Sequence, residues 1–357
     1  MTAINKEILI VGQGYAGSLI AWMLIQKNFN VTVIDSEPEF TSSKVAAGIM
    51  LPVTGRRLAK THLADLILPF AHNLYKKMEA ATGVKFFMEK KVLQLFSSVS
   101  NRNEWYSRSG EKGMQDYCDM ILTPEQVDKS INNDFGGILL KQSGFVDSVT
   151  FLKAIKNYIT ENGIFLKQQF NYSDLQVNKK NILYRGKEYD KIIFCEGYHC
   201  VKNPFFSFIP FKPAKGEILD FISEELSDDY IITDSVYILP LGNNKFRTGS
   251  TYNWDDLTEA PTPQGLKILT ENLEKTINCK YTITDHKAGI RPAIRDRRPV
   301  IGFHPLYENI GIFNGLGTKG AMLGPYYAKQ ISDLITDFQQ PDADVNVRRF
   351  DSLVPAL

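Results

Sequence analysis

The residues best able to do chemistry here are a glycine-spaced turn near one end of the chain and an arginine near the other. The turn is Gly12-Gln13-Gly14-Tyr15-Ala16-Gly17, preceded by Glu7-Ile8-Leu9-Ile10-Val11 and followed, after an apolar stretch, by Val31-Thr32-Val33-Ile34-Asp35. That order predicts strand, turn, helix and strand, the setting in which G-x-G-x-x-G holds a dinucleotide. Gly12 permits the tight turn, Gly14 lets the backbone approach a pyrophosphate, and Gly17 allows close packing of helix on strand. The diphosphate would meet unpaired N–H groups and the positive end of a helix dipole, with Asp35 accepting from ribose hydroxyls. Taken alone, the turn suits NAD or FAD. The arginine is Arg291 in Gly289-Ile290-Arg291-Pro292. Its planar guanidinium can grip a carboxylate through two parallel hydrogen bonds, and Pro292 biases it toward extended backbone, as at a strand end. Arg295, Arg297 and Arg298 crowd the same segment and read as solvated charges or partners of acidic residues. Metal binding is not expected: Cys118, Cys195, Cys200 and Cys279 form no C-x-x-C pair, and the histidines lack ligand spacing.

The positioning elements follow from periodicity. Residues 64–81 predict a helix with Leu66, Ile67, Phe70, Leu74 and Met78 on one buried face. Residues 84–140 read as short and β-rich, with turns at Arg108-Ser109-Gly110 and Phe135-Gly136-Gly137. A helix is expected over 149–159 and a strand over 191–195, the latter stopping at Glu196-Gly197, where a glycine lets the chain pass close to a cofactor. Strands are expected over 216–221 and 236–251, a helix over 263–276, and a weakly specified end after Gln339. The 357 residues, 43% hydrophobic and 23% charged, suffice for two interleaved domains of a soluble protein. Lys plus Arg number 41 against 40 Asp plus Glu, so no overall field favours nucleic acid or an anionic membrane. The first strand begins where a signal peptide's apolar core would lie, and no charge-free apolar run reaches about 18 residues, so a cytoplasmic location is expected.

Several motifs then become specific together. Gly289-Ile290-Arg291-Pro292, Asp296 with Pro299-Val300-Ile301-Gly302, and Asn314-Gly315-Leu316-Gly317-Thr318-Lys319-Gly320 with Pro325 resemble the D-amino-acid oxidase superfamily of FAD-dependent oxidoreductases. The likeness is greatest to glycine oxidases and to the FAD domain of the bifunctional enzyme that modifies wobble uridine in tRNA. Ser43-Lys44-Val45-Ala46-Ala47-Gly48-Ile49-Met50 is similar to the segment that passes beside FAD in that family. Cys195-Glu196-Gly197 stands where the family usually has Ala-Thr-Gly, and Pro213-Ala214-Lys215-Gly216-Glu217 resembles its Pro-x-x-Gly-Gln turn. Tyr237-Ile238-Leu239-Pro240 and Thr248-Gly249-Ser250-Thr251 resemble the strands that wall its substrate pocket. Glu196 and Gln13 depart from the usual residues, and the Gln13 side chain is expected to turn away from the phosphates.

The resemblance implies an α/β plus β-rich fold: a Rossmann-like FAD-binding domain interleaved with a substrate domain on a mixed or antiparallel sheet. The FAD-binding segments would be 1–83, 142–203 and 286–340, the substrate segments 84–141 and 204–285, and the tail 341–357. It implies noncovalent FAD, with His304 and Cys279 poorly placed as anchors. Cofactor contacts would come from Gly12, Gly14, Tyr15, Ala16, Gly17, Asp35 and Ser36, and from Ser43, Ala47, Gly48 and Ile49, with Met50 packing nearby. Cys195, Glu196, Gly197 and Arg291 would add to them, as would Gly315, Leu316, Gly317, Thr318, Lys319 and Gly320, whose helix start and lysine place positive potential at the flavin edge. Arg291 would hold the substrate carboxylate, Tyr237 would assist, and Tyr252 would tune selectivity. The implied reaction is hydride transfer from the C–N carbon of a small amino acid or secondary amine to flavin N5, giving an imine, with oxygen or another acceptor reoxidising the flavin. The alternatives are oxidation of a carboxymethylaminomethyl group on tRNA uridine, a dehydrogenase using another acceptor, and flavin binding without turnover. The expected partners are the amine and the electron acceptor, with a homo-oligomer compatible and nucleic acid disfavoured by charge.

Overall fold

A computed structural model describes residues 6–54 and 59–355. The parts of the expected segments at 1–5, 55–58 and 356–357 lie outside the described residues. One sheet has six strands in the spatial order Ile164–Lys167, Asn30–Asp35, Glu7–Val11, Lys191–Phe194, Ile310–Asn314 and Val300–Phe303. The first five run parallel and the last pairs antiparallel. Its central strands are apolar at successive positions because both faces are covered. Ile8, Ile10, Val31, Val33 and Ile193 enter one core, while Leu9, Val11, Ile34, Ile192 and Phe194 enter the other. The first core lies under helices Tyr15–Gln26, Ser148–Asn162 and Gly320–Asp337, with Ala64–Thr82 packed on the last. The second is closed partly by the three-stranded meander Leu175–Val177, Ile182–Tyr184 and Lys187–Tyr189.

A second sheet of eight strands runs Thr282–Arg291, Ala214–Ile222, Lys245–Gly249, Tyr237–Gly242, Ile231–Thr233, Val92–Leu95, Gly137–Leu140 and Cys118–Leu122. Every neighbouring pair is antiparallel except Ile231–Thr233 with Val92–Leu95, so the sheet is mixed. Helix Pro263–Thr276 lies on it through Leu269 and Leu273, both fully buried. Thr282–Arg291 runs the whole length of its neighbour and crosses the boundary expected at 286, which sets Arg291 at the last position of this sheet.

Four sequence expectations need correction. The stretch 84–140 also contains helix Val99–Ser109, anchored by the Ser98 side chain at its N-cap and by Trp105, the only one of its residues that is buried. The turn expected at Arg108-Ser109-Gly110 is that helix's C-terminal end. On Ala64–Thr82 the buried stripe runs through Ile67, Leu68, Ala71, Leu74, Tyr75 and Met78, whereas Leu66 is 48% exposed. The segment after Gln339 is tied down at residues 345–347: Val345 and Val347 are fully buried, and Asn346 bridges to Ile301.

Candidate active site

A cavity of about 890 Å³ runs along the carboxyl ends of the parallel strands, touching Gly12, Asp35, Gln168, Cys195 and Asn314, each at or just past the end of a different strand. Ligands of open α/β sheets bind at this edge, because the strand-to-helix turns there present free backbone groups. Gly12 has φ +99°, and a Cβ there would stand 2.4 Å from the Cys195 carbonyl oxygen. A Cβ on Gly17 would stand 1.8 Å from the Gly12 carbonyl oxygen, so these two glycines close the strand-to-helix junction. Gly14 caps helix Tyr15–Gln26 without a side chain, and no acidic residue follows in the first turn. The positive helix end therefore faces the cavity through Gly14, Tyr15 and Ala16. The Tyr15 N–H is the exception, donating to Ser43 Oγ at 3.2 Å.

The Asp35 carboxylate is held by the Gln13 and Glu37 N–H groups, each at 2.6 Å, which leaves acceptor capacity on both oxygens. The Gln13 side chain turns away, donating to Ser18 Oγ at 2.7 Å and to the Leu152 carbonyl at 3.0 Å. Glu196, on the cavity wall, accepts from Tyr172 and, at 2.7 Å, from Asn203, and desolvation raises its pKa. Farther along, Leu316, Gly317, Thr318 and Lys319 lead into helix Gly320–Asp337, a second helix start without a side-chain cap. The Lys319 ammonium approaches Thr61 Oγ1 at 3.4 Å, and burial lowers its pKa. An anion site, an acidic ribose acceptor and a second positive helix end lie along one trough, and this set fits FAD.

The opposite wall comes from the larger sheet. Arg291 is 9% exposed and donates to the Lys215 carbonyl at 3.1 Å, to Ser250 Oγ at 2.6 Å and to the Thr251 carbonyl at 3.1 Å. All three acceptors are neutral, and among the described residues no carboxylate pairs with it. Desolvation lowers its pKa, the mark of a cation kept from water without a counter-ion. Gly216 is glycine for a local reason: a Cβ would meet Arg291 Nη2 at 1.9 Å. Tyr237 lies beside the cavity opposite Gly249, and burial pushes its pKa up to about 12 even though Arg247 and Arg291 pull it down.

Most of the expected site residues line this one cavity: Gly12, Gly14, Tyr15, Ala16, Asp35, Ser36, Ser43, Ala47, Gly48, Ile49, Cys195, Glu196, Gly197, Tyr237, Arg291, Leu316, Gly317, Thr318, Lys319 and Gly320. Gly17, Gly315 and Tyr252 do not. Gly17 packs inside the turn, and Gly315, at φ +75°, would drive a Cβ to 2.6 Å from Ile294. Tyr252 is 48% exposed and lies over the Arg291 guanidinium with the ring centroid 4.6 Å away. Met50, expected near the flavin, is fully buried in the first core. His304, in the loop after strand Val300–Phe303, is 5% exposed and packs among Phe206, Phe208 and Tyr307. Sequence reasoning missed Gln168, Gln169, Phe170 and Tyr172, which follow the unforeseen strand Ile164–Lys167, and Tyr198 and Glu259, whose side chains meet at 3.1 Å. The available signal for the first group was the apolar run Ile164-Phe165-Leu166 directly after a helix.

Comparison with known proteins gives a consistent picture. The family described as FAD dependent oxidoreductase matches residues 7–334. Glycine oxidase of Bacillus subtilis is 23% identical over 93% of this chain and 93% of its own length. The tRNA 5-methylaminomethyl-2-thiouridine biosynthesis bifunctional protein of Saccharophagus degradans is 20% identical over 90% of this chain, which spans only 48% of that longer protein. Among solved structures, iminodiacetate oxidase from Chelativorans sp. BNC1 has a TM-score of 0.83 and 18% identity, covering 96% of this chain and 98% of its own. Among the described residues no helix is long and apolar enough to cross a membrane, and no cluster of metal-binding side chains occurs.

Proposed function

The chain belongs to the family of FAD-dependent oxidoreductases, and on that premise we propose that it oxidises the C–N bond of a small amine bearing a carboxylate. The observation that carries this reading is Arg291, a buried guanidinium on the cavity wall whose partners among the described residues are all neutral. Bound FAD supplies a hydride acceptor. Arg291 grips the substrate carboxylate and so fixes the carbon next to nitrogen in one orientation. Tyr237 keeps its proton through the neutral range, since its pKa lies near 12, and donates a hydrogen bond to the same carboxylate. Ile49, Ile218 and Leu316 give the wall apolar surface that excludes water from the transfer. The amine arrives neutral and loses a hydride from carbon and a proton from nitrogen. The resulting C=N bond is hydrolysed to a carbonyl compound and a shorter amine, or to ammonia.

A second reading keeps this chemistry but places the amine on tRNA, and the Saccharophagus similarity favours it. The test is to load the protein with FAD and add glycine, sarcosine, proline and a panel of D-amino acids without oxygen while following the flavin absorbance. Bleaching by one of these amines, lost in Arg291→Ala, is the expected result. Bound flavin that no free amine bleaches transfers the case to a tRNA-borne amine, and a chain that binds no flavin contradicts both readings.

A further inference from the structure

The Arg291 guanidinium is held largely by a segment that lies outside the regular strands. Arg291 ends strand Thr282–Arg291, yet its Nη2 bonds and its ring contact reach Ser250, Thr251 and Tyr252, which follow strand Lys245–Gly249 on the other side of Ala214–Ile222. To reach them the side chain lies across Gly216, where a Cβ would meet Nη2 at 1.9 Å. Successive side chains of a strand point to opposite faces, so Lys215 and Glu217 leave the face turned away from the cavity. Both grip the same strap, residues 250–262, from behind. The Lys215 ammonium is fully buried and donates to Asp256 Oδ2 at 2.5 Å, Thr258 Oγ1 at 3.1 Å and the Ala260 carbonyl at 2.5 Å. A lysine has three N–H donors, and the strap satisfies each of them. The Glu217 carboxylate accepts from the Thr262 N–H at 2.9 Å and its hydroxyl at 2.8 Å, at the strap's far end. Backbone bonds between Lys215 and Asn253, at 2.8 and 3.0 Å, complete the attachment.

We propose that Lys215 is a positioning residue: its buried ammonium fixes the strap, and the strap fixes the plane in which the Arg291 fork receives the substrate carboxylate. The inference rests on the carboxylate reading of Arg291. Without the ammonium the strap keeps its two ends but loses its anchors at Asp256, Thr258 and Ala260. Ser250, Thr251 and Tyr252 then shift more freely, and a guanidinium displaced by a fraction of its bond length to them no longer meets both carboxylate oxygens. The Lys215 side chain stands outside the cavity, on the face opposite Gly216 and Ile218, which line it. Its effect on ligand binding therefore runs through Arg291.

The test uses FAD-loaded protein and measures the Kd of methoxyacetate, the isostere of sarcosine with oxygen in place of nitrogen, from its perturbation of the flavin absorbance. Anaerobic reduction by sarcosine gives a half-saturation and a limiting rate alongside it, and hydrogen exchange over 250–262 reports on the strap. Lys215→Met should weaken both ligands about tenfold, leave the limiting rate within about twofold, and speed exchange in the strap alone. Asp256→Asn, which alters the same anchor from its partly exposed side, should weaken binding about threefold and carries the test if Lys215→Met does not fold. Binding that depends on Arg291 but is unchanged in these variants overturns the positioning role and leaves the Arg291 reading standing. So does a limiting rate that falls with binding unchanged, or exchange that rises evenly through the whole chain. Methoxyacetate that fails to bind wild type, or binds Arg291→Ala equally well, overturns the Arg291 reading and the positioning role with it.

Discussion

Two arginines of the larger sheet, Arg291 buried and Arg247 partly buried, differ in a way that underlies the proposed chemistry. Arg247 is paired with Asp220 through two hydrogen bonds of 2.6 and 2.9 Å, whereas Arg291 meets only neutral oxygens among the described residues. Burying an uncompensated cation costs stability, so a carboxylate ligand gains a partner that is already desolvated. Arg291→Lys keeps the charge and loses the fork; we expect its KM for the amine to rise at least about tenfold, and Arg291→Ala to lose about a hundredfold in kcat/KM. Glu196 gives a prediction with a pH sign. Its pKa is raised in the folded state, so its contribution is most favourable at low pH and is lost as pH rises through that pKa. Glu196→Gln should therefore raise the thermal midpoint of the FAD-free protein at pH 7, and the gain should fade as pH falls through the raised pKa toward 4.5, the ordinary carboxyl value; a gain unchanged by pH would contradict this. Arg291 was legible because Gly-x-Arg-Pro places a forked cation at a strand end. The placement of Tyr252 was not, because alternation along a strand cannot tell a ring facing the cavity from one lying outside the guanidinium.

At the scale of elements, the glycine turn was readable because each glycine answers a steric demand, while less constrained elements escaped. Strand Ile164–Lys167 has no fully buried residue and joins the sheet at its edge, and helix Val99–Ser109 buries Trp105 alone, so neither leaves a periodic signal. The steric account separates two substitutions. Gly12→Ala puts a Cβ at φ +99° against the Cys195 carbonyl, and should cost at least about 2 kcal/mol in urea unfolding as well as FAD retention. Gly110→Ala, at a helix end with φ −89° and open space around it, should be neutral or stabilising by about 0.5 kcal/mol. Equal losses from the two would remove the steric argument for the turn.

Across the whole molecule, the cavity gathers segments more than 300 residues apart, from Gly12 at one end to Met322 at the other. The proposed FAD-binding segments, 1–83, 142–203 and 286–340, meet only on folding, so FAD should act as a clamp on the entire chain. At a free concentration of a hundred times its Kd, FAD should stabilise the fold by about 2.7 kcal/mol, read as a shift of one cooperative transition. A shift confined to one of two separate transitions would show that the two sheets fold independently.

The central claim is that a carboxylate on Arg291 positions the amine for oxidation. It is tested most directly by comparing anaerobic flavin reduction by sarcosine and by dimethylamine, the same secondary amine without the carboxylate, in wild type and Arg291→Ala. The account predicts that wild type favours sarcosine by about a hundredfold and that Arg291→Ala abolishes the preference. Equal rates in wild type, or a preference that survives the substitution, would contradict it.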